Sequence, residues 1–152
     1  MYPFLLFFHS VFRWLVLLSL LYSIFRVFTG LRSARPFSGV DNATRHWTAT
    51  IAHIQLMVGF ILYFVSPLVQ AFRAGGGMHS MELAFFGMVH IACMLVAVIV
   101  ITIGSALSKR RQTDKEKFQT MLFWFLAGLF IIFIAIPWPF SPFAHRPYFR
   151  SF

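Results

Sequence analysis

Four ionisable side chains lie inside long apolar stretches of this chain: His9 and Arg13, then His53, then His90. Imidazole can ligate a metal, carry a proton or donate a hydrogen bond, and a guanidinium surrounded by hydrocarbon needs an anion or a carbonyl beside it. A lone histidine among apolar residues is accounted for by a bond to a carbonyl or a neighbouring helix. Three of them on three separate apolar stretches make a shared site the sharper reading. Missing residues narrow the chemistry further. Asp41, Glu82, Asp114 and Glu116 fall at the ends of apolar stretches or between them, so an acidic relay for protons or cations is not supplied. Cys93 is the single cysteine, which excludes an intrachain disulfide and a cysteine-based zinc or iron–sulfur site within one chain. No phosphate-binding loop, Ser-His-Asp set or zinc-binding helix motif occurs.

The elements that must position these residues are membrane spans. The 152 residues are 59% hydrophobic and 11% charged, with 21 Phe, which suits lipid as solvent and a single transmembrane domain over residues 1–152. Crossing ~30 Å of hydrocarbon takes about 20 apolar residues. Four stretches are long enough: Pro3 to Phe28, Trp47 to Val69, Met81 to Leu107 and Phe118 to Pro137. The first lacks a basic segment before it and a small-residue cleavage site after it, so it reads as a span and not as a signal peptide. The connections are short: Gly30 to Arg45, the Gly75-Gly76-Gly77 turn, and Ser108 to Glu116. They predict an all-α, antiparallel four-helix bundle running up-down-up-down, with the first and third spans on a diagonal.

Both termini and the loop between spans two and three then share one side, A; the other two loops form side B. Side B carries Arg26, Arg32, Arg35, Arg45, Lys109, Arg110, Arg111, Lys115 and Lys117, against Arg73, Arg146 and Arg150 on side A. That excess predicts a cytoplasmic side B and periplasmic termini in a bacterial inner membrane. The net charge of +9 is therefore topological, with the lipid bilayer as partner and no nucleic acid. Trp47, Trp138 and Tyr148 fit interfacial anchors.

Depth decides which histidines meet. On a rise of about 1.5 Å per residue, His9 lies roughly 8 Å below side A and His90 roughly 13 Å below it. His53 enters from side B, well away from both. Two imidazoles at similar depth on diagonal helices are the ligand set of a bis-histidine haem. Phe8, Phe85, Phe86, Met88 and Met94 offer bulk around it, and Gly87, Ala92 and Cys93 offer room. Arg13, one turn from His9, suits a haem propionate; Arg73, His79 and Arg146 are the other side A cations for that role. A second haem would need a ligand on span four, where only Met121 is near the right depth. His53, with Gln55, suits instead a hydrogen bond to a quinone carbonyl, a proton relay or a structural bond.

The same residues carry a resemblance. His9-Ser10 with Arg13-Trp14, the run His53-Ile54-Gln55-Leu56-Met57-Val58-Gly59, and Leu62-Tyr63-Phe64-Val65-Ser66-Pro67 resemble small four-span bacterial membrane proteins of the cytochrome b kind. His90, Ile101-Thr102-Ile103-Gly104 and Ile136-Pro137-Trp138-Pro139-Phe140 extend the likeness over nearly the whole chain. Cytochromes of the b561 type are a looser comparison, because they use more histidines on both sides of the bundle. The resemblance implies haem b, electron transfer in the inner membrane and a quinone. With three intramembrane histidines here, one haem on His9 and His90 is expected, passing electrons between quinone and a partner protein or periplasmic acceptor. Where that family pattern has an acidic residue before the third-span histidine, this chain has Val89, so any orienting partner for His90 must be of another kind. The alternative from a different class is a non-catalytic membrane subunit or scaffold of a larger respiratory complex, its histidines serving as helix-to-helix hydrogen bonds. A third reading is a quinone- or lipid-binding protein built around His53 and Gln55.

Overall fold

Helices begin in this chain where the sequence supplies a donor-free residue or a cap, and two of them, those ending at Val65 and Ala135, stop just before a proline. The computed structural model describes residues 1–75, 80–142, 144 and 146–148. Helix α1 (Tyr2–Arg32) carries Pro3 in its first turn, where the missing N–H would have had no partner. Helix α2 (Gly39–Val65) is opened by a capping box: the Ser38 hydroxyl accepts from the Asp41 amide, and the Asp41 carboxylate accepts from the Ser38 amide. The connection from α1 is therefore short, with Ala34 at a φ of 49°, and does not span Gly30 to Arg45. Asp41 and Asn42 have loop-like composition, but they belong to the first turn of a helix.

The second span ends earlier than expected, at Val65 and not at Val69. Ser66 is extended and Pro67 starts a separate helix, α3 (Pro67–Arg73), because proline disfavours the helical conformation in the residue before it. The turn after Gly75 lies mostly outside the described residues. Helix α4 (Met81–Arg110) is capped by the Ser80 hydroxyl and contains one widened π turn at Phe85–Val89. Helix α5 (Asp114–Ala135) starts at a second capping box, Thr113 with Glu116, and stops at extended Ile136 before Pro137.

Helices α1, α2, α4 and α5 are each long and apolar enough to cross a membrane. α1 packs on α2 and α5, and α4 packs on the same two. This is the antiparallel four-helix bundle predicted, with α1 diagonal to α4.

Toward side B the bundle is solid. Leu20, Ile101, Phe118, Met121 and Phe125 are fully buried there. Close helix approach is bought with small residues, as expected where lipid gives no hydrophobic drive between helices. A Cβ built on Gly104 would lie 2.1 Å from the Trp124 Cβ, and one on Gly128 would lie 2.5 Å from Ile101 Cγ1. Polar groups in this half are paired internally. Ser23 and Thr48 share a 2.7 Å hydroxyl contact between α1 and α2. The Arg45 guanidinium donates to the Ser105 hydroxyl (2.6 Å) and carbonyl (2.9 Å), tying α2 to α4. Asp41, 1% exposed, holds Arg26 and Arg35 in ion pairs of 2.8 and 2.6 Å. The bonds from Arg35 to that carboxylate raise the guanidinium's pKa further. Trp138 is buried against the bundle and packs on Trp14, so it is a core residue and not the interfacial anchor its position suggested. Trp47 is exposed.

Gly104→Ala is expected to overpack the α4–α5 seam and lower stability by about 1–3 kcal/mol, read as a reduced unfolding midpoint of the purified protein in detergent.

Candidate functional site

Toward side A the same four helices, with α3, line a partly open cavity of about 370 Å³, within the size range of cofactor and small-molecule sites. Its walls come from residues at helical spacing. α1 contributes Tyr2, Leu6, His9, Arg13 and Val16; α2 contributes Ala52, Gln55, Gly59 and Tyr63, followed by Ser66 just past its end. Steps of three and four residues keep one face of a helix turned the same way. α4 adds Phe86, His90, Met94 and Val98, and α5 with the segment after it adds Ile132, Ile136 and Pro137.

His9 and His90 meet in this space across the diagonal, with ring centroids 6.4 Å apart and planes at 74°. The depth arithmetic therefore brings together the right pair. His90 is held firmly. Its Nδ1 lies 2.8 Å from the Ala135 carbonyl oxygen, which can only accept, so Nδ1 carries the proton and Nε2 keeps its lone pair. The reason that carbonyl is available lies in the sequence. The partner it would find in a longer helix is the amide of residue 139, which is a proline, and α5 has already ended. The backbone N–H of His90 closes the π turn by donating to the Phe85 carbonyl. Phe85 and Phe86 pack on its ring at 5.6 and 6.1 Å.

The π turn has a second consequence. Tyr63 on α2 donates its hydroxyl hydrogen to the Gly87 carbonyl at 2.9 Å, and a Cβ on Gly87 would collide with the Phe72 ring of α3 at 2.3 Å. The register of α4 just before His90 is thus set by α2 and α3 together.

His9 is held differently. Gln55 Nε2 donates to its backbone carbonyl at 2.9 Å, leaving the ring itself without that support. Among the described residues, the buried Nδ1 of His9 and the buried Oε1 of Gln55 have no hydrogen-bond partner. A Cβ added to Gly59 would stand 3.2 Å from His9 Cε1, so a glycine makes the space for this ring.

The cations divide. Arg13 lines the cavity, donates to the Tyr148 carbonyl at 2.6 Å and lies 5.4 Å from the centre of the Trp14 ring. Trp14 Nε1 donates to the same carbonyl at 3.2 Å, so residues 146–148 fold back against the mouth of the cavity. Arg146 also lines it and pairs with Glu82. Arg73 is outside, exposed, with its guanidinium 5.0 Å from the Tyr63 ring centre and 5.6 Å from that of Phe64. His79 lies outside the described residues.

His53 and Gln55 are separated. Gln55 faces His9, whereas His53 is exposed on the other face of α2. Its Nδ1 donates to the Ala49 carbonyl at 2.7 Å, and its Nε2 lies 3.3 Å from the Thr102 hydroxyl of α4. The expected pairing of these two side chains fails because residues two apart point to opposite sides of a helix. Among the expected aromatic and sulfur neighbours, Phe86 and Met94 line the cavity. Phe8 and Met88 are exposed, and Phe85 is buried behind His90.

Sequence reasoning missed Gly59, Tyr63 and the Ala135 carbonyl. The stripe through Ala52, Gln55, Gly59, Tyr63 and Ser66 was a signal for the first two. The Pro137-Trp138-Pro139 stop was a signal for the third.

Among the described residues no group of three His, Cys, Asp or Glu converges, so the donor set here is two imidazoles. Two imidazoles bound trans to one metal, with bonds of about 2 Å and ~1 Å from nitrogen to ring centre, stand roughly 6 Å apart between centroids. The observed pair fits that spacing. No family model, curated protein or solved structure matches the chain.

Tyr63→Phe removes the donor to the Gly87 carbonyl. It is expected to cost about 1 kcal/mol, measured by unfolding in detergent, with the four-helix content unchanged by circular dichroism.

Proposed function

We propose that this protein is a membrane b-type cytochrome that carries electrons through one haem held between His9 and His90. The observation that carries the reading is the pair of imidazoles from diagonal helices at 6.4 Å in an apolar cavity. The His90 ring is already oriented by a carbonyl bond of 2.8 Å that leaves Nε2 for a metal. Orientation of a ligating histidine through its second nitrogen is the usual arrangement at metal sites, and here a helix-end carbonyl does what an acidic residue does in the family pattern. Haem bound here supplies a one-electron couple. His9 and His90 hold it, Arg13 and Arg146 face the cavity with charges suited to its propionates, and Ile132, Ile136 and Val98 keep water away. A quinone on one side and a protein or periplasmic acceptor on the other complete the proposed route.

The orientation proposed puts this site near the periplasm. The Lys/Arg excess on side B favours that orientation in a bacterial inner membrane. A cysteine placed at Ala34 in a Cys93→Ser background is expected to be labelled by a membrane-impermeant reagent only in inverted vesicles; labelling in intact spheroplasts would reverse the topology.

A second reading has its own support: His53 behaves as a helix-to-helix hydrogen bond between α2 and α4, as histidines of a scaffold subunit would. The absorption spectrum separates the two. Protein made with ample haem is expected to show a Soret band and split α and β bands on reduction. His90→Ala is expected to abolish them and His53→Ala to keep them. A colourless, folded wild-type protein would leave the scaffold reading in place of the cytochrome.

A further inference from the structure

Each of the two imidazoles is held in its own way, and the difference is chemical. His90 is fixed at three points: Nδ1–H on the Ala135 carbonyl at 2.8 Å, the backbone N–H on Phe85, and the ring against Phe85 and Phe86. His9 has none of these on its ring. The support it receives, from Gln55, goes to its backbone carbonyl, and its buried Nδ1 has no partner among the described residues. On the neighbouring helix stands Gly59, where any side chain would press on His9 Cε1 at 3.2 Å, and the ring also lines the cavity, so the space into which it can swing is the cavity itself. Losing the outer bond that orients a ligating histidine typically weakens metal affinity by about 10–100-fold, and His9 lacks such a bond from the outset.

We infer that His90 is the permanent axial ligand and His9 an exchangeable one, so that the site admits a small neutral ligand in the place of His9. This rests on the haem reading above. The class of ligand follows from the wall: carbon monoxide needs only the vacated position, and an N–H-bearing heteroaromatic such as imidazole also meets the buried, unpartnered acceptor Gln55 Oε1. Each binds by donating a lone pair to the metal, with no change of oxidation state and no proton lost. His9, swung aside, stays within the cavity.

The test uses the purified, haem-loaded, full-length protein. Carbon monoxide added to the reduced wild type is expected to shift the Soret band, and imidazole is expected to restore a six-coordinate spectrum to His9→Ala. His9→Ala is expected to keep most of its haem, while His90→Ala loses it by tenfold or more. An unchanged spectrum under saturating carbon monoxide, or equal haem loss in the two variants, overturns the inference and leaves the cytochrome reading standing. A colourless wild type removes that reading and the inference with it. Nitrogen-15 spectra of the histidine rings need no variant that must fold. Under saturating carbon monoxide, a His90 ring that stays ligated as the Nδ1–H tautomer beside a His9 ring released from the metal supports the assignment; the reverse pattern overturns it.

Discussion

A carbonyl left bare in hydrocarbon has no water to turn to, and leaving it so costs several kcal/mol. That constraint decides how this bundle is put together around its cavity. α5 ends at Ala135, and the orphaned carbonyl is met by His90. α4 widens at Phe85–Val89, and the Gly87 carbonyl in that turn is met by Tyr63. The returning C-terminal segment brings the Tyr148 carbonyl to Arg13 and Trp14. In the first two cases a break in regular helix is met by a side chain, in the third a carbonyl of the non-helical segment after α5 is, and His90, Tyr63 and Arg13 all line the cavity. Residues that look as if they were placed for a ligand are also the ones holding the backbone together, which explains how a hollow survives in a protein with so few polar groups.

The opposite half permits this. Packing there leaves Leu20, Ile101 and Phe125 with no exposed surface. Asp41 concentrates both its own helix cap and two guanidinium groups on one carboxylate. With α1, α2, α4 and α5 fixed against each other at that end, their other ends can stand apart around open space. Apolar residues such as Phe25, Phe64 and Phe130 remain on the outside, where lipid accepts them.

What could be read from the sequence was governed by period and by length. Apolar runs of about 20 residues announce spans directly, and short loops give the antiparallel order; both held. Counting residues along spans one and three was enough to bring His9 and His90 together, because depth is linear in residue number on a helix. Azimuth was harder. Gln55 was grouped with His53 because they are near in sequence, whereas the helix turns Gln55 toward His9 and His53 away. Boundaries failed where one residue type serves two roles: Asp41 reads as loop but caps α2, and Pro67 reads as part of a span but divides α2 from α3. The π turn left no mark at all in the composition of Phe85 to Val89.

The cavity wall contributed by Ile136, Pro137, Arg146 and Pro147 is also the last of it to leave the ribosome. α1, α2, α4 and α5 must be in the membrane before Tyr148 can reach Arg13 and Trp14, and before that moment the chamber stands open toward side A. Biosynthesis thus completes this part of the cavity's wall after the parts contributed by α1, α2 and α4. The chain's own order of synthesis therefore sets the order in which the walls of its interior are assembled.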